Sequence, residues 1–274
     1  MSDRYAVVGN PIKHSKSPQI HSRFAAMLGQ KLSYQTMLVE SGEFEAEAQR
    51  FFAEGGSGLN VTVPFKQQAW SLASELSDRA RLAGAVNTLF LSRQGLICGD
   101  NTDGVGMVRD LEINHGTRLK GKRILILGAG GAVRGVLAPV LATEPQSLTI
   151  VNRTAEKAEQ LAEDFSHLGC VTGSGYCQLQ GRFDLVINGT SASLQGELPP
   201  LPEDLLASGA WCYDMMYAAR STPFMVWAEA HGGKALDGLG MLVEQAAESF
   251  LIWRGVRPDT APVIAEIRGQ LVST

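Results

Sequence analysis

Short apolar runs alternate with amphipathic stretches along the 274 residues of the chain. In the first half, Tyr5–Gly9, Tyr34–Val39 and Gly58–Val63 have the length and composition of buried strands. Apolar residues at helical spacing follow Ser17 and Pro18, and this predicts a helix with Ser17 as N-cap and Pro18 in its first turn. The alternation is typical of α/β proteins with parallel sheets.

A second α/β series follows the polar segment 114–122, and a hairpin formed by Val86–Leu91 and Leu96–Cys98 precedes that segment. The strands predicted for the second series are Arg123–Leu127, Leu148–Val151, Asp184–Asn188 and Trp211–Met215. Two helices, about 239–253 and 260–271, close the chain without an intervening strand. We expect these two helices to pack back on the first domain.

Length and composition fit two globular domains. The chain is 45% hydrophobic and 19% charged, and its net charge is −4, which argues against a basic nucleic-acid surface over the whole chain. No apolar run approaches the roughly 20 residues needed to span a bilayer. Glycine is abundant, at 30 residues, as expected for a chain with many α/β turns.

The four cysteines predict no metal site. Cys98, Cys170, Cys177 and Cys212 form no C-x-x-C pair, and no histidine lies near them at ligand spacing. We therefore expect free thiols in a reducing cytoplasm.

A glycine-rich loop lies between a predicted strand and a predicted helix. Gly128, Ala129, Gly130, Gly131 and Ala132 follow four apolar residues, which is the context of a dinucleotide-binding loop. Glycines let the main chain approach a pyrophosphate, and the helix N-terminus offers N–H groups to its charge. The third glycine of the usual spacing is replaced by valine, so the loop alone suits a plain tight turn equally well.

The next predicted strand ends in basic and polar residues rather than an acid. A dinucleotide domain places the residue that contacts the adenosine ribose there. Asn152, Arg153 and Thr154 occupy this position, with Lys157 one helical turn later. A guanidinium binds a 2′-phosphate well, so we favour NADP over NAD. The alternative is an ordinary helix start with surface charges.

Polar clusters in the first half follow or flank apolar strands. They contain Ser15 and Ser17, Asn60 to Lys66, Asn87 and Thr88, and Asp100 to Asp103. Ligands bind at the carboxyl ends of parallel strands, and we place each cluster at such an end. Hydroxyls, amides, one lysine and one aspartate there suit a small polyhydroxylated acid. Taken singly, each of these residues also has an ordinary structural interpretation, such as an N-cap.

These motifs together resemble the shikimate dehydrogenase family over nearly the whole chain. The resemblance rests on ordered blocks, namely Asn10–Pro18, Gly58–Lys66, Ala83–Thr88, Gly99–Gly104, Gly128–Ala132, Asn152–Thr154, Asn188–Ser191, Tyr213–Tyr217 and Asp237–Ala246. Several ordered blocks are far more specific than any one of them.

The resemblance implies a role for each matching residue. The catalytic pair falls on Lys66 and Asp103. A close ion pair between them would favour the charged lysine, which predicts Lys66 mainly as the proton donor in the reductive direction. Substrate-binding residues fall on Ser15, Ser17, Asn60, Thr62, Asn87, Tyr217 and Gln245. Cofactor-binding residues fall on Asp78, Gly128, Ala129, Gly130, Gly131, Ala132, Asn152, Arg153, Thr154, Lys157, Thr190, Ser191, Met215 and Gly238.

The resemblance also implies fold and activity. It predicts an α/β substrate-binding domain with a mostly parallel sheet, residues 1–103 plus 239–274, and a Rossmann-like NADP-binding domain, residues 104–238. The expected reaction is the reversible NADPH-dependent reduction of 3-dehydroshikimate to shikimate, in chorismate and aromatic amino-acid biosynthesis. We expect a cytoplasmic monomer or homodimer whose partner is a small-molecule substrate, without nucleic acid, membrane or metal.

Two other functions stay open on the sequence. A quinate/shikimate dehydrogenase that prefers NAD shares most of the motifs, although Arg153 and Lys157 argue against it. A dinucleotide-binding module without turnover is the second alternative. The presence of both Lys66 and Asp103 argues against that module.

Overall fold

The computed structural model describes residues 3–190, 192 and 196–272. The chain divides into two compact units. The first runs to Gly106 and also contains Leu242–Ala265, and the second contains Met107–Met241 and the chain from Glu266 onward. The second unit is thus an insertion within the first, apart from the C-terminal end.

The first unit alternates strands and helices. Its elements are β1 (Asp3–Gly9), α1 (Ser17–Met27), β2 (Leu32–Leu38), α2 (Phe44–Ala53), β3 (Gly56–Val61), α3 (Lys66–Leu72), β4 (Glu75–Leu76), α4 (Asp78–Ala83), β5 (Thr88–Leu91) and β6 (Ile97–Asp100). The helix α5 (Asp103–Arg109) carries the chain into the second unit, and a π-helical turn, Asp110–Asn114, extends it.

The sheet of the first unit has the strand order β2-β1-β3-β5-β6-β4. The pairs β1–β2, β1–β3 and β4–β6 are parallel, whereas β5 runs antiparallel to both β3 and β6. Reversal of β5 brings its first residue to the edge where β3 and β6 end. Asn60 of β3 pairs with Thr88, and Thr88 pairs with Asp100 of β6.

The second unit is a doubly wound sheet. Its elements are β7 (Arg123–Leu127), α6 (Gly131–Leu141), β8 (Ser147–Asn152), α7 (Ala155–Phe165), β9 (Val171–Gly175), β10 (Phe183–Asn188), β11 (Leu206–Asp214), α8 (Pro223–Ala230) and β12 (Lys234–Leu236). The strand order β12-β11-β10-β7-β8-β9 is all parallel. This is the Rossmann order. Successive strands are added to one side of β7 and then, from β10 onward, to its other side, so the strand order reverses between β7 and β10.

Burial explains why these elements form. Ile124–Leu127 is a continuous apolar run with no exposed surface, as expected for a central strand covered on both faces. Val133, Val136, Leu137 and Val140 lie at helical spacing on α6 and are fully buried. The two closing helices are α9 (Leu239–Arg254) and α10 (Ala261–Val272).

The structure corrects several sequence-based expectations. Ser17 is the first residue of α1 rather than its N-cap, which is Lys16. The short strands β4, β9 and β12 and the short helix α4 were not predicted, because each has few apolar residues or is very short. The apolar helix α8 was also not predicted. The chain from Glu266 groups with the second unit, where Arg268 forms an ion pair with Asp237, rather than with the first as expected.

Two further observations concern the described residues alone. Among them, no helix is both long enough and apolar enough to cross a membrane. Within the same ranges, no group of three or more His, Cys, Asp or Glu side chains is arranged to hold a metal ion.

Candidate active site

A lysine and an aspartate form an ion pair at the edge of the first sheet where β3 and β6 end. Lys66 is the first residue of α3, and Asp103 is the first residue of α5. Lys66 Nζ donates to Asp103 Oδ2 over 2.6 Å. The two side chains keep 30% and 16% of their surface exposed, so a small molecule can reach the pair.

Asn87 holds the other oxygen of the aspartate. Its amide nitrogen donates to Asp103 Oδ1 over 2.9 Å and to Thr102 Oγ1 over 2.8 Å. Its amide oxygen accepts from the Thr88 hydroxyl over 2.8 Å and from the Thr102 backbone N–H over 3.0 Å. Both oxygens of Asp103 therefore have donors, and its carboxylate has one orientation.

Asn87 and Thr88 do not lie where the sequence suggested. We expected them at the carboxyl end of a parallel strand, but Asn87 precedes β5 and Thr88 begins it. They still reach the site because β5 is antiparallel to its neighbours, so that its start lies beside the ends of β3 and β6.

Asn60 is nearly buried and is oriented by several partners. Its amide oxygen accepts from the Tyr34 hydroxyl over 2.7 Å. Its amide nitrogen donates to the Asn87 carbonyl and to the Ser249 hydroxyl, each over 3.1 Å. Asn60 Oδ1 has a second lone pair, which can accept a hydrogen bond from a ligand.

The serines of the first cluster lie at the start of α1. Ser15 Oγ accepts from the Ser17 backbone N–H over 3.3 Å, and Ser17 is buried. Burial raises the pKa of Tyr34 well above its usual value, and a hydrogen bond with Ser17 offsets only part of that effect. Tyr34 is thus a neutral hydroxyl that connects Ser17 to Asn60. Thr62 lies just beyond β3 and is half-buried.

A glutamine of α9 reaches the same residues in the first unit. Gln245 Oε1 lies 3.4 Å from both Asn87 Nδ2 and Thr102 Oγ1. Tyr217, another predicted substrate residue, lies in the second unit and is half-buried. Burial raises the pKa of Tyr217, and the nearby negative charge of Asp237 adds to that rise. Tyr217 is therefore a neutral hydrogen-bonding group near neutral pH.

A buried histidine packs behind this cluster. The His21 ring stacks on Tyr34, with ring centroids 4.4 Å apart. Among the described residues, neither ring nitrogen of His21 has a partner within hydrogen-bond distance and geometry. Burial lowers the pKa of His21 to about 3, and the nearby Asn60 amide counteracts this only in part. His21 is therefore a neutral packing group at physiological pH.

A bidentate ion pair fixes the end of β6. Arg79 Nε and Nη2 donate to the two oxygens of Asp100 over 2.6 and 2.8 Å, and Arg79 Nη1 donates to Glu248 over 3.0 Å. Asp100 Oδ1 also accepts from the Asn101 backbone N–H, which begins the turn leading to Asp103. Burial alone would lower the pKa of Arg79, but Asp100 and Glu248 raise it above its usual value.

The second unit has a cavity of about 610 Å³ at the carboxyl ends of its strands. Its lining consists of Gly128–Ala132, Asn152, Arg153, Tyr176, Gly189, Thr190, Ala192, Glu197, Leu198, Pro199 and Pro200. The glycine loop follows β7, and Gly189 follows β10, so the cavity lies where the strand order reverses. Ligands of doubly wound sheets bind at this reversal.

The glycine loop has the geometry of a pyrophosphate cradle. Gly128 has a φ of +104°, which disfavours any residue with a Cβ. A Cβ added at Gly130 or Gly131 would meet no atom within 4 Å, so the main chain is open to a ligand there. Gly130 is the N-cap of α6, whose first N–H groups have no partner inside the helix. The loop therefore fits the phosphates of a dinucleotide.

The four residues predicted to contact the adenosine end of the cofactor, at the end of β8 and the start of α7, divide into two groups. Asn152 and Arg153 line the cavity, and Asn152 Nδ2 donates to the Thr154 carbonyl over 2.9 Å. Thr154 is the N-cap of α7, and Lys157 is exposed one turn later. Neither Thr154 nor Lys157 belongs to the lining that the described residues form. Arg153 is the cation best placed for a 2′-phosphate.

The remaining predicted cofactor residues occupy different surroundings. Thr190 lines the cavity, and its hydroxyl donates to Asn188 Oδ1 over 2.7 Å. A Cβ on Gly238 would lie 2.3 Å from the Met215 carbonyl oxygen, so only glycine permits that close approach. Asp78 is exposed in the first turn of α4, in the first unit. Ser191 lies outside the described residues.

Sequence reasoning missed several members of both sites. Tyr34, Thr102 and Ser249 hold the amides of the first site, and Tyr176 and Glu197 line the cavity of the second. Ser249 lies four residues after Gln245 on α9, so helical spacing would have placed it on the same face. Tyr34 has no such signal, because its contact with Asn60 joins strands that are not neighbours in the sheet.

Three family models match successive parts of the chain. They are the shikimate dehydrogenase substrate binding domain at residues 7–89, shikimate / quinate 5-dehydrogenase at residues 111–195, and the shikimate 5′-dehydrogenase C-terminal domain at residues 238–268.

Individual proteins are similar to the chain over nearly its full length. A shikimate dehydrogenase (NADP(+)) of Alkalilimnicola ehrlichii is 61% identical over 269 residues, which covers 98% of this chain and 99% of the relative. An Ael1 enzyme from Pseudomonas putida matches with a TM-score of 0.93 and 48% identity, covering 97% of this chain and 98% of that one. The shikimate 5-dehydrogenase of Thermus thermophilus in complex with NADP(H) and shikimate matches with a TM-score of 0.83 and 30% identity, covering 98% of this chain and 100% of that one.

Proposed function

The chain belongs to the shikimate dehydrogenase family, and we propose that its Lys66–Asp103 pair handles the proton of the reaction. The chain is an NADP-dependent oxidoreductase of the shikimate pathway, which reduces 3-dehydroshikimate reversibly to shikimate. The observation that carries the proposal for the pair is the 2.6 Å contact between Lys66 Nζ and Asp103 Oδ2.

The proton step follows from the charge on the lysine. Bound NADPH supplies the hydride for the ring carbonyl. The carbonyl oxygen then develops negative charge and needs a proton donor within hydrogen-bond reach. We assign that donor to Lys66, whose side chain is partly exposed and whose Nζ is held by the Asp103 carboxylate over 2.6 Å. In the oxidative direction the same pair receives the proton from the substrate hydroxyl.

The substrate-binding roles rest on the chemistry of the side chains. Ser15, Ser17, Asn60, Thr62, Asn87 and Gln245 supply hydroxyls and amides in the first unit, and Tyr217 supplies a neutral hydroxyl in the second. Such groups pair with the carboxylate and ring hydroxyls of shikimate. A site that pairs a hydroxyl rejects analogues that lack it, since its own buried polar groups are then left without partners.

The cofactor-binding roles rest on the cavity of the second unit. The N–H groups of Gly128–Ala132 and the start of α6 would hold the pyrophosphate, and Arg153 would pair with the 2′-phosphate. Asn152, Thr154 and Lys157 support the adenosine end. Roles for Asp78, Thr190, Ser191, Met215 and Gly238 follow from the family resemblance.

The domain proposal assigns substrate binding to residues 1–103 plus 239–274 and NADP binding to residues 104–238. The compact units support the two internal boundaries, since the chain changes unit after Gly106 and after Met241, whereas the chain from Glu266 onward groups with the second unit. We also propose a cytoplasmic monomer or homodimer without a nucleic-acid partner. Four cysteines that form no disulfide agree with a reducing compartment, and light scattering on the purified protein measures the oligomeric state.

Steady-state oxidation measured at 340 nm tests the function. Initial rates are compared for shikimate and quinate, each with NADP⁺ and with NAD⁺. We expect shikimate with NADP⁺ to give the highest kcat/KM, by about tenfold or more over NAD⁺, because Arg153 pairs with the 2′-phosphate. Faster turnover of quinate with NAD⁺ would assign the chain to quinate/shikimate dehydrogenases. No turnover of any combination would leave a non-catalytic dinucleotide-binding module.

A further inference from the structure

Two buried hydroxyl groups lie behind the ion pair and have no role in the proposed reaction. Thr88 and Ser249 have no exposed surface, and neither does Thr102 between them and the site. A hydroxyl buried without a hydrogen bond destabilises a fold, so the partners of these groups carry information about their role. Thr88 begins β5, and Ser249 lies on α9, within the same unit.

The amide of Asn87 has only one consistent orientation. The Thr102 backbone N–H can only donate, so the Asn87 atom 3.0 Å from it is the amide oxygen. The Asp103 carboxylate can only accept, so the Asn87 atom 2.9 Å from Oδ1 is the amide nitrogen. Both contacts select the same orientation. A flipped amide would place its nitrogen against the Thr102 N–H, donor facing donor, and its oxygen against Asp103 Oδ1, acceptor facing acceptor.

The direction of the hydroxyl bonds follows from the single proton on each hydroxyl. Thr88 donates its proton to the Asn87 amide oxygen over 2.8 Å. The contact of 2.7 Å between Thr88 Oγ1 and Ser249 Oγ then requires Ser249 as donor. The other acceptors within reach of Ser249, the Gln245 backbone carbonyl and Thr102 Oγ1, are farther away at 3.1 and 3.3 Å. The shortest contacts thus run head to tail from Ser249 through Thr88 and Asn87 to Asp103.

The neighbouring asparagine joins the same chain of hydrogen bonds. Asn60 Nδ2 lies 3.1 Å from Ser249 Oγ and 3.3 Å from Thr88 Oγ1, where it supplies the remaining donor. Hydrogen bonds arranged head to tail polarise and strengthen each other in a site of low dielectric. The two asparagines proposed for substrate binding are therefore held by the same pair of hydroxyls.

We propose that Thr88 and Ser249 are positioning residues for the proton-handling pair. Their hydroxyls hold the Asn87 amide so that its nitrogen faces Asp103 Oδ1, which leaves Oδ2 for Lys66. The inference rests on the proposed function, because it assigns the two hydroxyls to the pair that exchanges the proton. Neither residue contacts the substrate or the cofactor in this proposal.

Two substitutions distinguish the effect of the Thr88 hydroxyl from the effect of the shape of its side chain. Thr88→Val keeps the branched shape and removes the hydroxyl, whereas Thr88→Ser keeps the hydroxyl and removes the methyl group. In Thr88→Val, we expect kcat for shikimate oxidation to fall by about tenfold or more, the effect of one lost buried donor. The KM for shikimate changes less than about threefold, because the substrate contacts remain. Thr88→Ser keeps kcat within about threefold of the unchanged protein.

Ser249→Ala removes the outer hydroxyl of the chain. Ser249 has no direct hydrogen bond to Asn87 and reaches it through the hydroxyls of Thr88 and, over a longer contact of 3.3 Å, Thr102. We therefore expect a fall in kcat in the same direction as for Thr88→Val, but smaller. Thermal unfolding of every variant is measured beside the kinetics, because a purely structural role would change stability and activity together.

A double-mutant cycle tests whether Thr88 acts through Asn87. The kcat of Asn87→Ala is compared with that of Asn87→Ala combined with Thr88→Val. Residues that act in series give non-additive effects, so the double variant is expected to be no slower than Asn87→Ala alone. Additive losses would overturn the proposed route through Asn87.

Two further outcomes overturn the proposal, and neither is confused with failure of the function itself. Equal kcat for Thr88→Val and Thr88→Ser shows that the hydroxyl does not position the pair. A loss of kcat in Thr88→Val that is matched by a lower thermal midpoint, with the same loss in Thr88→Ser, shows a packing role only. Failure of the unsubstituted protein to oxidise shikimate with NADP⁺ overturns the proposed function, independently of both comparisons.

Discussion

The two units build their polar sites from different parts of the chain. In the second unit, residues of the loops after β7 and β10 form most of the cavity lining, four of them are glycines, and Arg153 supplies a charge. In the first unit, the site consists of side chains from α3, β3, α5 and α9, together with Asn87 before β5. Asn60, Asn87 and Asp103 each have a buried side chain as a partner, whereas Lys66 pairs with the partly exposed Asp103.

This difference sets what each site tolerates. A main-chain site is insensitive to most side-chain changes but sensitive to a new Cβ where a ligand approaches. A side-chain site depends on groups that orient one another, so that removal of one leaves others unsatisfied. Substitutions in the first unit should therefore affect turnover, and substitutions in the second should affect cofactor affinity.

The largest effect is expected for the lysine of the first unit. Lys66→Ala removes the proposed proton donor, and we expect kcat to fall by about 10² or more while KM for shikimate changes little. Steady-state kinetics in both directions measure the effect. Lys31→Ala, an exposed lysine of the same unit, is the control and should be unchanged. An unaltered kcat in Lys66→Ala would remove Lys66 from the mechanism.

The next effect concerns the basic residue of the second unit. Arg153→Ala should reduce the preference for NADP⁺ over NAD⁺ in kcat/KM by about 10-fold to 10²-fold, because a charge-assisted pair with the 2′-phosphate is lost. Lys157→Ala should give a smaller change, since Lys157 does not line the cavity among the described residues. Equal effects of the two substitutions would contradict the assignment of Arg153 as the main phosphate contact.

A pair of glycine substitutions separates ligand approach from backbone strain. Gly130→Ala places a methyl group in open space, so we expect unchanged stability. The methyl group would hinder one hydrogen bond from the main chain to the cofactor, so we expect the KM for NADP⁺ to rise about tenfold. Gly128→Ala forces a Cβ onto a φ of +104° and should lower stability by about 1–2 kcal/mol. Thermal unfolding and titration with NADP⁺ measure the two effects. Loss of stability in Gly130→Ala would show that the loop is packed rather than open.

The smallest effect at neutral pH is expected for the buried histidine. Burial lowers the pKa of His21 to about 3, whereas the unfolded chain takes up a proton near the ordinary value of about 6.5. Stability contributed by neutral His21 is complete above pH 6.5 and falls as the pH decreases toward 3. In this range the free energy of unfolding falls by about 1.4 kcal/mol for each pH unit, and His21→Phe should remove this contribution to the slope. Urea unfolding of both proteins between pH 7 and pH 4.5 measures the slopes. Parallel slopes would mean that native His21 is protonated in that range.

The sites differ in how far local sequence reveals them. The glycine loop and Asn152–Thr154 are contiguous, and each follows an apolar strand, so sequence located the cavity. Local sequence did not identify Tyr176 and Glu197, because the loops that carry them have no periodic pattern. The short strands β9 and β12 escaped prediction for the same reason.

In the first unit, the motifs identified Lys66, Asp103, Asn60 and Asn87 but not what orients them. Tyr34 and Ser249 are far from these residues in the chain, and their contacts depend on strand order and on the return of α9 to the first unit. The antiparallel direction of β5 was also not visible, although it decides why Asn87 reaches the site.

Pattern and spacing along the chain were sufficient for the alternation of elements, the cofactor loop and the residue types available for chemistry, because these are local properties. The resemblance of its ordered motifs to a known family indicated the family. Which polar groups face each other emerged only with the fold, because hydrogen-bond partners depend on strand order, direction and register. The Asp103 carboxylate shows the division clearly. Its position follows from a motif, whereas its orientation comes from Lys66 and Asn87, which different elements bring within 2.6 and 2.9 Å.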